Sequence, residues 1–290
     1  MRTRGLVAVL LALTVTTLSG CAQSVDPIER LGKKAAQRVH PQDGATEQPY
    51  RRWGLSTPLA PAPARASRPL SGSPGTLGGP GGPGGPGEAA GPEEPAALPP
   101  VVDHIPTHDK VVFLTYDDGA ERDPRFVDMV RELRLPVSVF LTDSVVGPGY
   151  GHFARLRAVG ATLQNHTLDH AALRGLPYAG QRAEICGQQE KLRSRFGLRP
   201  RLFRPPYATY DTTTLRAAAD CGITALVLWR ASMGPTDLTY THGAPDLRPG
   251  DIIAVDPDES AGPGLRERTT RLLRRVQERG LAVGRLEDYL

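Results

Sequence analysis

Apolar and polar residues alternate in blocks from about residue 110 onward, and the blocks change period along the chain. Lys110 to Thr115 (KVVFLT) is a short apolar run rich in β-branched residues, as a buried strand requires. Asp123 to Leu133 puts Phe126, Val127, Val130 and Leu133 on one helical face. Val137 to Leu141 reads as strand, His152 to Val159 as helix, and Ala161 to Leu163 as a further short strand. Arg182 to Phe196 predicts a helix with Gly197 as its C-cap. Asp211 to Asp220 is an Ala-rich helix opened by a good N-cap residue. Ile223 to Trp229 and Asp251 to Val255 are strands. Leu265 to Arg279 is a basic amphipathic helix whose arginines read as a solvated face. Strands alternating with helices predict an α/β fold on a parallel sheet, open or closed into a barrel.

The N-terminal third follows other rules. Arg2 and Arg4 precede an apolar run from Leu6 to Leu18 and then Ser19, Gly20 and Cys21. So short a run, with small residues at its end, suits a cleaved export signal better than a membrane span. Leu18-Ser19-Gly20-Cys21 resembles the bacterial lipobox, in which the Cys is lipidated and two acyl chains anchor the mature protein. An ordinary secretory signal with a chance Cys is the plainer alternative. Residues 22–60 are mixed and polar, and 61–100 are low complexity, with 10 Gly and 8 Pro between Ser71 and Pro100. Such a sequence buries too little surface to offset its ordering entropy. The expected organisation is a signal over 1–21, a disordered Gly/Pro-rich tether over 22–100, and one domain over 101–290.

Charge narrows the partners. The formal net charge is +4, yet Val101 to Leu290 holds 25 basic and 24 acidic residues. A nearly neutral domain lacks the basic stripe that nucleic acid requires. About 190 residues suffice for one hydrophobic core, and a monomer is expected.

Three clusters carry candidate chemistry. Thr115-Tyr116-Asp117-Asp118-Gly119 places two carboxylates just after a buried strand, where α/β barrels build active sites. Alone, such a pair beside a Gly is more often a solvated turn. His166-Thr167-Leu168-Asp169-His170 puts two imidazoles on one face of a helical turn, a spacing suited to one divalent metal with a carboxylate as third ligand. Arg204-Pro205-Pro206-Tyr207 would fix an Arg and a backbone N–H through rigid prolines.

In this order, TYDDG, NHTLDH and FRPPY resemble the polysaccharide deacetylase (NodB-homology) family, the family-four carbohydrate esterases. The likeness runs from about Lys110 to Leu290 and includes VSVFLT at 137–142 and GATL at 160–163. It implies a distorted (β/α) barrel that removes acetyl groups from chitin, peptidoglycan, xylan or related glycans with one bound divalent metal, Zn²⁺ foremost, Co²⁺ or Ni²⁺ otherwise. By that resemblance Asp117 is the general base, and Asp118, His166 and His170 are the metal ligands. Arg204 holds Asp117, and the Tyr207 N–H faces the oxyanion.

The sequence departs from the family in the acid half of the reaction. Ser232 stands where an Asp is expected after Trp229, and Asp256 stands where the family has His. His242 is the last His and lies in a turn-rich stretch. Asp256 is then the candidate acid, and a site short of its His should favour esters, because an alkoxide leaves more readily than an unprotonated amine. A non-catalytic glycan- or metal-binding member is the alternative. Ala208 also replaces the usual Gly, read as a minor change. With Cys21 assigned to lipidation, Cys186 and Cys221 remain as an even pair in an exported domain, either bonded or two buried thiols. The expected setting is the outer face of a bacterial cell membrane, or secretion if the lipobox is unused.

Overall fold

The computed structural model describes residues 48–64, 97–117, 124–256 and 263–290. The leader with Cys21, and Asp118, lie outside the described residues. Among those described, no helix is long and apolar enough to cross a membrane.

The strands are β1 Val101–Val102, β2 Val111–Asp117, β3 Val137–Leu141, β4 Thr162–Asn165, β5 Leu202–Phe203, β6 Ala225–Val227, β7 Ala231–Met233, β8 Leu238–Tyr240, β9 Ile252–Val255 and β10 Ala282–Val283. They form a sheet ordered β1-β6-β5-β4-β3-β2-β9-β7-β8, with β10 pairing to the start of β2. Every pairing is parallel except β7 with β8. This mixed α/β half-barrel is the distorted barrel expected from the sequence. β2 explains why its sequence lacks polar alternation. Val112, Leu114 and Tyr116 pack under the helices, while Val111 and Phe113 point into the barrel with Phe140, Ile252 and Leu286. Both faces are therefore dry.

Helices cover the outside: α1 Pro49–Arg52, α2 Pro124–Leu133, α3 Asp143–Val146, α4 Tyr150–Ala158, α5 Tyr178–Phe196, α6 Thr212–Asp220 and α7 Leu265–Glu278. Gly197 closes α5 at φ 66°, and Asp211 caps α6 by accepting from the Thr214 N–H at 2.8 Å. Cys186 on α5 and Cys221 at the end of α6 form a disulfide, Cα to Cα 5.1 Å. β7 and β8 were not expected: each spans three residues, too few to show a period.

Two expectations need correction. Residues 48–64 do not behave as tether. Trp53 and Leu55 are buried in the main core, and the Trp53 Nε1–H donates to Glu132 of α2 at 2.8 Å. Thr270, Arg274 and Gln277 of α7 donate to the carbonyls of Trp53, Gly54 and Thr57. A single Trp with one Leu two residues on leaves no periodic signal, yet together they seal the α2–α7 surface. The second correction concerns α7. Its Arg268 is fully buried and not part of a solvated face.

Candidate functional site

The parallel register brings chemistry to the C-terminal ends of the strands. Asp117 ends β2 beside Phe140 of β3, and Asn165 ends β4 beside Phe203 of β5. One residue further on, these strands lead into His166 and Arg204. β9 lies on the other side of β2, with Tyr116 level with Val255, so Asp256 emerges next to Asp117. Below them Thr115, Ala254 and Ser232 share one row across β2, β9 and β7. All three point inward, so the expected Asp position holds only a short hydroxyl.

Arg204 organises the site. It has no exposed surface, and its Nη1 donates to Asp117 Oδ1 at 2.5 Å. Nη2 donates to Thr115 Oγ1 at 2.9 Å, and Nε donates to the Val227 carbonyl at 3.0 Å. Its guanidinium lies 4.3 Å from the Phe140 ring centre and 5.1 Å from that of Trp229. Trp229 is therefore a wall of this pocket. Burial pulls the Arg204 pKa below its usual value, and Asp117 opposes that shift. A buried guanidinium with its donors occupied holds Asp117 in one position.

The same residue also holds a histidine. The Arg204 carbonyl lies 2.7 Å from His166 Nδ1. A carbonyl can only accept, so Nδ1 carries the proton and Nε2 is the nitrogen a metal would take. His170 sits with its ring centre 5.0 Å from that of His166, and its Nδ1 lies 3.2 Å from the Tyr207 hydroxyl. Both imidazoles thus engage an oxygen through Nδ1, the arrangement of histidines that ligate through Nε2. The donor set fits a divalent metal in this respect. Among the described residues no third ligand joins the pair, and the expected one, Asp118, is outside them.

The helical turn expected between the two histidines is absent. Residues 166–170 form a loop in which Thr167 and His170 have φ of 73° and 58°. The buried Asn165 sets that loop by accepting from the Thr167 N–H at 3.0 Å and donating to the Ile185 carbonyl of α5 at 2.9 Å. Leu168 adds a bond from its N–H to the Glu184 carbonyl at 3.1 Å. Asp169 is exposed. Tyr207 and Ala208 also have left-handed φ, 57° and 54°. A side chain there costs about 1 kcal/mol or more, so Ala in place of Gly is not a neutral change. No backbone bond within the described residues uses the Tyr207 N–H.

The acid half is arranged differently. Asp256 is about one-third exposed, and its carboxylate faces the buried Arg268, Nη1 to Oδ2 3.7 Å. Arg268 Nη1 also donates to the Asp256 carbonyl at 2.8 Å. His242 does not join the site. It lies 2.8 Å from Asp103, and antiparallel β8 carries it back toward the start of β7, away from Asp256. Reading the sequence missed Thr115 and Arg268. Thr115 left a trace as the polar residue in an apolar strand, whereas Arg268 looked like its exposed neighbours.

Residues 104–226 match the model of the polysaccharide deacetylase family. An uncharacterized protein of Streptomyces coelicolor is 70% identical over 194 residues, 67% of this chain and 78% of that protein. A chitin deacetylase of Amylomyces rouxii is 34% identical over 148 residues, 49% of this chain and 34% of that enzyme's length. Among solved structures, a family-four carbohydrate esterase pseudoenzyme of Bacillus anthracis superposes with a TM-score of 0.57 at 17% identity, over 67% of this chain and 69% of that one. Its likeness concerns the fold. With the strand-end site built on the expected frame, the chain belongs to the polysaccharide deacetylase family, the NodB-homology carbohydrate esterases.

Proposed function

We propose that the protein hydrolyses acetyl groups from an acetylated cell-wall or environmental glycan in a metal-dependent reaction. The observation that carries this reading is the double use of Arg204, whose side chain fixes Asp117 while its carbonyl fixes the His166 ring. His166, His170 and Asp118 would hold the ion. When bound, a divalent metal such as Zn²⁺ activates water and polarises the acetyl carbonyl. Asp117 accepts the proton of the attacking water. The Tyr207 N–H stabilises the charge that develops on the acetyl oxygen. Trp229 and Phe140 pack against the Arg204 guanidinium that holds Asp117.

The test is acetate release by the metal-loaded protein from an N-acetylated chitin oligomer, peptidoglycan and acetylated xylan, with Asp117→Asn as control. We expect release that the variant loses. A folded protein that holds metal yet releases no acetate from any substrate overturns the proposal. The second reading, a glycan- or metal-binding member without turnover, is favoured by Ser232 at the acid position and by the engagement of Asp256 with Arg268.

The same proposal includes location. The leader and Cys21 would place the protein outside the cytoplasm on a lipid anchor, with secretion as the outcome if Cys21 is unused. Radiolabelled palmitate should enter the protein in a bacterial host and be lost from Cys21→Ser. Equal labelling of both would dismiss the anchor.

A further inference from the structure

A cavity of about 410 Å³ lies at the opposite end of the strands from the site just described. Thr162, the first residue of β4, and Leu202, the first of β5, form part of its wall. The other ends of those strands lead to His166 and Arg204. A four-residue strand rises about 3.3 Å per residue, so some 10 Å of packed sheet separates cavity and site. An acetyl group reacting at Asp117 cannot enter this cavity.

Its wall is strongly basic. Arg157, Arg199, Arg201 and Arg285 line it, against the single carboxylate side chain of Glu287. Some surface arginines outside it pair with carboxylates, as Arg52 does with Glu132 and Arg271 with Glu267. Among the described residues none of these four is in an ion pair. Glu190, whose carboxyl feels Arg199, is bonded to Arg193 instead. Arg157 donates to the Phe196 carbonyl at 2.7 Å and Arg285 to the Gly160 carbonyl at 3.4 Å. Those bonds orient the guanidiniums without neutralising them.

Glu287 offsets only one of the four charges. Its Oε1 is committed to Ser138 Oγ at 2.9 Å, Thr162 Oγ1 at 2.5 Å and Gln164 Nε2 at 2.8 Å. These neutral donors hold the carboxylate in the floor. The remaining wall includes Leu163, Leu198 and Leu202, which suit a carbon skeleton.

We propose that this cavity binds a phosphomonoester, a phosphate with an attached polyol, sugar or acyl-glycerol skeleton. Four guanidiniums outnumber the carboxylates of Glu287 and of the Leu290 end and call for a ligand with more than one negative charge, and the planar fork of Arg matches phosphate oxygens. A monocarboxylate would leave most of the charge unanswered. The cavity is too large for inorganic phosphate alone. The class has two sources, a soluble metabolite or a lipid headgroup.

The experiment titrates the full chain with glycerol phosphate by calorimetry at low salt. In parallel, the chain is sedimented with phosphatidylcholine vesicles with and without phosphatidic acid. The Arg199→Ser/Arg201→Ser variant removes two exposed cavity residues. Arg182→Ser/Arg216→Ser removes the same charge elsewhere on the surface. Each guanidinium removed from the cavity should weaken binding about tenfold, while the control variant binds like the parent. Binding should also weaken as salt rises. Glycerol phosphate binding that the cavity variant loses supports a soluble source. Sedimentation with phosphatidic acid that the cavity variant loses, without glycerol phosphate binding, supports a lipid source. No binding of either probe, or equal losses in both variants, overturns the proposal.

Discussion

At the scale of single residues, the chemistry depends on what surrounds each carboxylate. Asp117 is held by a guanidinium whose other donors go to Thr115 and backbone carbonyls, so its position is fixed before substrate arrives. Asp256 emerges on the neighbouring strand and faces a guanidinium of its own, Arg268. On the proposed reading the site therefore has a firmly held base, Asp117, and no imidazole acid among the described residues. This leads to a prediction about leaving groups. Acetyl esters should be hydrolysed in preference to acetamides. Ser232→Asp with Asp256→His should raise acetamide hydrolysis by about 10²–10⁴, the usual worth of general acid help, and change ester hydrolysis far less. Parallel kinetics on an acetylated xylan and a chitin oligomer would check this. A parent protein that already cleaves the amide at least as fast as the ester would refute the idea. Asp117, His166, His170, Arg204 and Tyr207 were legible in the sequence because each belongs to a short motif. Arg268 was not legible, since an Arg in a basic helix looks the same whether it faces water or the core.

At the scale of elements, the site loops are tied to the helices behind them. Asp211 shows how. Its carboxylate accepts from the Gly175 N–H at 3.0 Å, from the Thr214 N–H at 2.8 Å and from Gln181 of α5. The Gly175 bond foremost, with the Thr214 and Gln181 bonds, holds its pKa down to about 2, below the usual carboxylate range. A depressed folded-state pKa gives stability that is fully present above the unfolded value and is lost as pH falls toward the folded one. Asp211→Ala should cost about 1 kcal/mol at neutral pH, and the gap between variant and parent should close between about pH 4 and pH 2. Urea midpoints across that range would measure it; a gap independent of pH would contradict the assignment. The helix ends were readable from Asp211 and Gly197 because capping is local chemistry. β7 and β8 were not, because strands of three residues take their identity from β9 and from each other. The His166–His170 loop escaped for a related reason. A spacing of four is shared by helical turns and by loops with left-handed residues, and the bonds from Asn165 and Leu168 to the α5 backbone select the loop.

At the scale of the whole molecule, the segment 48–64 belongs to the domain. Trp53 is 6% exposed and joins α2 to α7. Trp53→Ala should cost about 3 kcal/mol through lost burial and an empty site, read as a lower thermal midpoint. A change below about 0.5 kcal/mol, the range of an ordinary surface substitution, would mean that the segment contributes nothing to stability. The disulfide between Cys186 and Cys221, 35 residues apart, is worth about 3–4 kcal/mol in the chain-entropy account. The overall class followed from the alternation of periods in the sequence. The docking of 48–64 did not, because contacts between residues 79 to 220 positions apart leave no local pattern.

That docking has a consequence for where a stable fragment can begin. A chain started at residue 101 would lack Trp53 and Leu55 and leave the α2–α7 surface that they cover open to water. Burying one large apolar side chain is worth about 1.5–3 kcal/mol, so a fragment meant to fold like the whole should start before Gln48.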